Sequence, residues 1–174
     1  LANVLQDHGM DVVVSCVITE VEVDAADPAF QHPTKPVGKF FSPADAQKMA
    51  ASTGWLFADD AGRGWRRIVA SPKPRKILDL KTIDALLDAG VLPIACGGGG
   101  VPVVVGDDGH WHGVAAVIDK DLTSALLAAH LHADALIMLT GVERVALDFN
   151  LPTQRWIDRL TLAQAREHAA QGQF

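Results

Sequence analysis

With 174 residues, 49% of them apolar and 21% charged, the chain is long enough to bury the core of one domain and too apolar to be disordered. A net charge of −6 argues against broad affinity for nucleic acid, whose phosphates call for a basic surface. No apolar run approaches membrane-spanning length and no secretory signal is recognisable. Cys16 and Cys96 lie in apolar runs and read as free core thiols of a reducing compartment, so a cytoplasmic protein is expected.

The spacing of Leu1, Val4 and Leu5 predicts an amphipathic helix over Leu1–His8 that stops near Gly9. A chain that opens on Leu inside a helix suggests that a longer protein precedes it. Asp11–Glu20 is a near-continuous Val/Ile/Cys run and reads as a buried parallel strand, and Val21–Asp24 alternates with period two. From Ala25 to Pro74 the texture changes, with Pro28, Pro33, Pro36, Pro43, Pro72 and Pro74 interrupting it, which suggests an inserted subdomain. Within it Ser42-Pro43 opens a helix as N-cap and first helical residue, and Gly54 closes it. Trp55–Ala58 and Trp65–Ala70 read as two short strands. Arg63, Arg66, Arg67, Lys73, Arg75 and Lys76 form a basic run with no acid from Ala61 to Ile77, which reads as a solvated edge rather than a ligand-facing patch.

Regular alternation then resumes. Lys81–Ala89 is predicted helical with Gly90 past its end, Val91–Cys96 is a strand, and Gly106–Gly113 is hairpin-tip material. Leu122–Leu131 is a helix, Ala135–Thr140 a buried strand, and Thr161 opens a last helix with Gln164 in capping-box position. Strand and helix alternating at this spacing predict an α/β protein of three layers, α/β/α, with an open, mainly parallel sheet.

Gly97, Gly98, Gly99 and Gly100 stand in a row between two apolar strands. No Gly-Lys-Ser/Thr follows, so this is not a P-loop, and Val101–Val105 is extended where a dinucleotide fingerprint would need a helix. Four residues without Cβ instead suggest backbone N–H groups left open to a small anion. In "AVIDKDLTSALL", Ala116–Leu127, a buried run ends in Asp119-Lys120-Asp121 where a helix begins, the place at which α/β sheets bind ligands. Asp121 can also cap that helix, and Lys120 between two acids can equally form a surface ion pair. In "HPTKPVG" Lys35 sits between Pro33 and Pro36, which stiffen the backbone that delivers it. His110 and His112 could share a strand face, but no third ligand lies near them, so no metal site is assigned.

The stretches "DPAFQHPTKPVG", "DAGRGWRRIVASPKP", "GGGGVPVV", "AVIDKDL" and "TGVERV", in this order and spacing, resemble carbamate kinase of the amino acid kinase superfamily. The resemblance runs along essentially the whole chain as its central portion. It implies transfer of a phosphoryl group between ATP and carbamate, usually toward ATP from carbamoyl phosphate and ADP. It also implies Mg2+, small-molecule substrates and a cytoplasmic homodimer, with neither nucleic acid nor membrane as partner. By resemblance, Lys35 and Lys120 are the phosphate-binding lysines and Asp121 the acid that orients them. Gly97 to Gly100 line the site where carbamate and phosphoryl meet, and Thr140, Gly141, Val142 and Val145 lie by the nucleotide. Residues 1–113 would form the acceptor lobe, with a protruding subdomain at about 25–75, and 114–174 would begin the nucleotide-binding lobe. The family's N-terminal Gly-Gly-Asn loop would precede Leu1 and its Pro-Lys segment would follow Phe174, so residues 1–174 alone are expected to be inactive. Many relatives carry Asp where Gly141 stands. That keeps open a paralogue acting on another small acid, and a non-catalytic binding or regulatory member.

Overall fold

A computed structural model describes residues 1–173, which fall into two compact units, 1–136 and 137–173. The first unit contains, in order, helix α1 (Ala2–Asp7) and strands β1 (Val14–Cys16), β2 (Glu20–Val23) and β3 (Lys35–Phe41). Helix α2 (Pro43–Thr53) and strands β4 (Leu56–Asp59), β5 (Trp65–Val69) and β6 (Pro74–Ile77) follow. Then come α3 (Leu80–Asp88), β7 (Leu92–Ile94), β8 (Val101–Val105), β9 (Trp111–Gly113) and α4 (Lys120–His130). It is an α/β arrangement with parallel and mixed sheets. The four-stranded sheet runs β6-β2-β8-β9, with β2 parallel to β8 and both edge strands antiparallel to their neighbours.

The period-two segment builds the core. Val21 and Val23 are buried while Glu20 is exposed, and Ile77, Ile83, Cys96 and Ile118 close around the two valines. Ile83 comes from α3, and Leu126 and Leu127 of α4 pack against the same cluster.

Of the single strand expected over Asp11–Glu20, only Val14–Cys16 forms β1, and Glu20 opens β2, which runs on through the period-two segment. β1 pairs in parallel with β7, and β2 pairs with β8. The physical reason lies in the partner: β7 and β8 are separated by the four glycines, so the ladder has nothing to follow between them. At the break, Val17 N–H still donates to the Ile94 carbonyl at 2.9 Å, and the Thr19 carbonyl already accepts from Val101 N–H at 2.8 Å. Cys16, expected in the core, is exposed at the end of β1, whereas Cys96 is buried; both are free thiols.

The Pro/Gly-rich segment holds a second sheet, β3-β5-β4, antiparallel throughout, with α2 packed on it. Ser42 caps α2 by accepting from Asp45 N–H at 3.1 Å, and Gly54 ends it in the left-handed conformation at φ +71°. β3 and β6 were not expected as strands. Both are edge strands, and each carries a proline where a central strand would need an N–H. The basic run is taken up locally. Arg63 and Arg66 reach Asp60 at 2.8 and 3.1 Å, Arg67 lies 3.9 Å from the centre of the Trp55 ring, and Arg75 pairs with Asp24 at 3.2 Å.

The second unit contains the antiparallel pair β10 (Val145–Leu147) and β11 (Arg155–Ile157), followed by α5 (Leu162–Ala170). Thr161 and Gln164 form the expected capping box. The buried strand expected over Ala135–Thr140 is absent. That run has no ladder partner among the described residues, and Ile137 and Leu139 are 82% and 94% exposed. Among the described residues no helix is long and apolar enough to cross a membrane.

Candidate active site

The glycine loop forms a single 3-10 turn over Gly97–Gly99 between β7 and β8. Its four glycines divide into two pairs. A Cβ on Gly99 (φ +98°) would fall on the Ile118 carbonyl, and one on Gly100 (φ +87°) would strike Val21; these two positions serve close packing. Gly97 and Gly98 have nothing within 4 Å of an added Cβ. Their amides have no protein partner among the described residues, and the turn closes through Gly99 N–H to Cys96 O (3.0 Å) and Gly100 N–H to Gly97 O (3.1 Å). Left-handed backbone at Cys96 (φ +56°) and Gly98 (φ +66°) flanks Gly97, the alternation that turns successive N–H groups into a concave anion site. A hollow of about 300 Å³ lined by Cys16, Ile18, Thr19, Ile94 and Gly97 opens beside it.

The second component is the start of α4. Asp119 is its N-cap, accepting from the amides of Asp121 at 2.9 Å and Leu122 at 3.4 Å. Its other carboxylate oxygen accepts from Lys35 Nζ at 2.7 Å across 84 residues of sequence. The sheets make that meeting possible. Lys35 stands opposite Val69 in the β3–β5 pair, and the next residue, Ala70, bridges in parallel to Ala116, three residues before Asp119. The Lys35 ammonium first, and then the two helix amides, hold the Asp119 carboxyl below its ordinary value of 3.8. The group is therefore a carboxylate, and it fixes the ammonium without removing it from solvent, since the two side chains stay 36% and 34% exposed.

Asp121, expected to orient the lysines and able to cap the helix, is not the cap and does not touch Lys35. It lies 3.6 Å from Lys120 Nζ, and both side chains face solvent. Asp119 caps the helix and holds Lys35. The signal was present in the sequence, because Asp directly before a helical run is a strong N-cap residue. Its electrostatic role was not legible, because its partner lies 84 residues away in β3. Thr123, fully buried in α4, donates to the Gly99 carbonyl at 2.9 Å. Lys35 and Lys120 thus both stand at the start of α4, the helix to which Gly99 is tied through Thr123.

Thr140, Gly141, Val142 and Val145 lie in the second unit and are exposed. Thr140 Oγ1 donates to the Val142 carbonyl at 2.7 Å, and Val145 opens β10 opposite Ile157. His112 Nε2 lies 3.0 Å from Asp108 in the β8–β9 hairpin, and among the described residues no group of three or more His, Cys, Asp and Glu is placed to share a metal ion.

The model of the amino acid kinase family matches residues 2–174. A carbamate kinase-like protein of Escherichia coli, YahI, is 47% identical over 175 residues, covering the whole of this chain and 55% of its own length. The carbamate kinase of Giardia lamblia bound to citric acid superimposes with a TM-score of 0.88 at 37% identity over 99% of this chain and 54% of that one. The same kinase bound to AMP-PNP gives 0.81 at 38% identity, again over 99% and 54%. The chain spans about half the length of the curated relatives it matches.

Proposed function

The chain belongs to the amino acid kinase family, and from that premise we propose that the protein containing it is a carbamate kinase-type phosphotransferase. It makes ATP from carbamoyl phosphate and ADP in the cytoplasm, as a homodimer. The observation that carries the reading is the fixed Lys35–Asp119 pair at the start of a helix to which the glycine loop is bonded. In the transfer, a terminal oxygen of ADP attacks the phosphorus of carbamoyl phosphate in line, the phosphorus–oxygen bond to carbamate breaks, and carbamate leaves with that electron pair. The protein's part is to align two anions and offset the charge that spreads over the equatorial oxygens. Lys35, held in direction by Asp119, and Lys120, exposed at the helix start beside Asp121, supply positive charge. The Gly97 and Gly98 amides receive an oxygen of the small acid, which no side chain obstructs.

Residues 1–113 contribute the acceptor lobe, and 114–174 begin the nucleotide-binding lobe, with Thr140, Gly141, Val142 and Val145 beside ADP. The AMP-PNP held by the Giardia lamblia enzyme supports a nucleotide as one substrate. Mg2+ would be held chiefly by the nucleotide phosphates and water, where it would offset the phosphate charge.

A second reading, a paralogue acting on another small acid, is favoured by two observations. Gly141 offers no side chain to a ligand, and a relative at 47% identity is itself termed carbamate kinase-like. One experiment separates the two: ATP formation by the whole protein from ADP with carbamoyl phosphate, and in parallel with acetyl phosphate. Turnover with carbamoyl phosphate alone supports the first reading. Turnover with acetyl phosphate alone supports the second, and no turnover with either favours a non-catalytic member.

A further inference from the structure

Only two polar side chains are buried among the described residues, Thr19 at 3% exposure and Thr123 at 0%; the Thr19 hydroxyl is bonded to Cys96, directly before the glycine loop, and the Thr123 hydroxyl to Gly99 within it. We infer that Thr19 is a positioning residue that sets the direction of the open Gly97 and Gly98 amides at the loop's entrance, with Thr123 fixing the exit; this rests on the anion-binding role proposed for that loop.

The Thr19 hydroxyl donates to the Val17 carbonyl at 3.1 Å and accepts from Cys96 N–H at 2.9 Å. Its proton is committed to Val17, so it is oriented as an acceptor toward Cys96. Cys96 has a left-handed backbone, which a residue with a Cβ adopts only where its surroundings over-determine it. A bond to its amide does that, and the peptides that follow are those of Gly97 and Gly98. Thr19 also carries the switch of β-ladder, since its own carbonyl accepts from Val101 N–H beyond the loop. One residue therefore grips both the entrance and the departure of the turn.

On the far side, the Thr123 proton goes to the Gly99 carbonyl at 2.9 Å in preference to its own helix at Asp119 O, 3.3 Å away. This ties the loop to the helix that carries Asp119 and Lys120. Neither hydroxyl is free to touch substrate, so neither is a catalytic residue. Removing the Thr19 hydroxyl while keeping its shape releases Cys96 toward an ordinary backbone and turns the two amides away.

The test uses the whole protein and the variants Thr19→Val, Thr19→Ser and Thr19→Ala. Amide NMR shifts and hydrogen exchange of Gly97 and Gly98, with and without inorganic phosphate, are read alongside KM and kcat for carbamoyl phosphate. The Val variant is expected to shift both amides, to lose their response to phosphate and to lower kcat/KM by about 10–100-fold, more through KM than kcat, while Ser restores wild-type behaviour. If Val does not fold, the Ser–Ala pair isolates the hydroxyl in the same way. Unchanged Gly97 and Gly98 amides in a folded variant lacking the hydroxyl would overturn the inference whether or not the protein turns over carbamoyl phosphate. Wild-type amides that ignore phosphate, in an enzyme that does turn over, would overturn it too. An inactive wild type whose amides still move in Thr19→Val would instead refute only the proposed reaction.

Discussion

Replacing Gly97 by Ala and, separately, Gly99 by Ala should produce opposite phenotypes from neighbouring residues. At Gly97 the backbone is not left-handed and an added Cβ meets nothing within 4 Å. Folding should tolerate the methyl and gain about 0.4–1 kcal/mol from the stiffer unfolded chain. The cost falls on the ligand: a methyl group beside an open amide obstructs one oxyanion contact, and losing such a contact is worth about 2.7–4 kcal/mol of barrier, or roughly 10²–10³-fold in kcat. At Gly99 the backbone sits at φ +98°, where a side chain costs on the order of 1–3 kcal/mol. The Cβ would also press on the Ile118 carbonyl, part of the backbone and unable to rotate aside, for about 1–3 kcal/mol more. Gly99→Ala should therefore melt well below wild type. Thermal melting and kcat/KM of the whole protein, compared for the two variants, read both effects. If Gly97→Ala melts normally and keeps kcat/KM within about threefold of wild type, the open half of the loop does not meet the reacting groups. Gly98 is a poorer probe, because φ +66° would strain any β-branched replacement whatever its effect on the ligand.

Asp119→Asn keeps an N-cap but removes the partner of Lys35. The folded-state carboxyl titrates below its ordinary 3.8, so its contribution is complete above about pH 5 and is lost as pH falls through the folded value. Wild type should lose more stability than the variant on acidification from about pH 5 to 2, measured by urea unfolding at each pH, and equal losses would count against the pairing. Thr161→Ala removes the capping box of α5 and should cost about 0.5–2 kcal/mol, seen as faster amide exchange in Leu162–Ala170.

The parts of the fold legible in the sequence are those decided locally. Ser42-Pro43 and Gly54 bound α2 because capping chemistry needs only its own turn, and Thr161 with Gln164 does the same for α5. The glycine loop and the Asp-Lys-Asp helix start were legible for the same reason. What escaped depends on neighbours. β3 and β6 carry prolines that only an edge position excuses, and edge status is a property of the sheet. The break in Asp11–Glu20 is imposed by the partner strands. Ala135–Thr140 has the composition of a buried strand, but composition does not supply a ladder partner. In the site, the lysines could be named, yet the carboxylate that holds Lys35 could not, because contact across 84 residues arises only through the β3–β5 register and the Ala70–Ala116 bridge.

The central claim is that Lys35 and Lys120 act on a transferring phosphoryl group at the start of α4. The most direct measurement is ATP formation from ADP and carbamoyl phosphate by the whole protein and by its Lys35→Ala and Lys120→Ala variants, with melting temperatures as the control for folding. Each lysine is expected to supply a charge contact of about 3–4 kcal/mol, so each folded variant should lose roughly two to three powers of ten in turnover. A folded Lys120→Ala variant that kept more than about a third of wild-type turnover would take Lys120 out of the phosphate site and contradict the account.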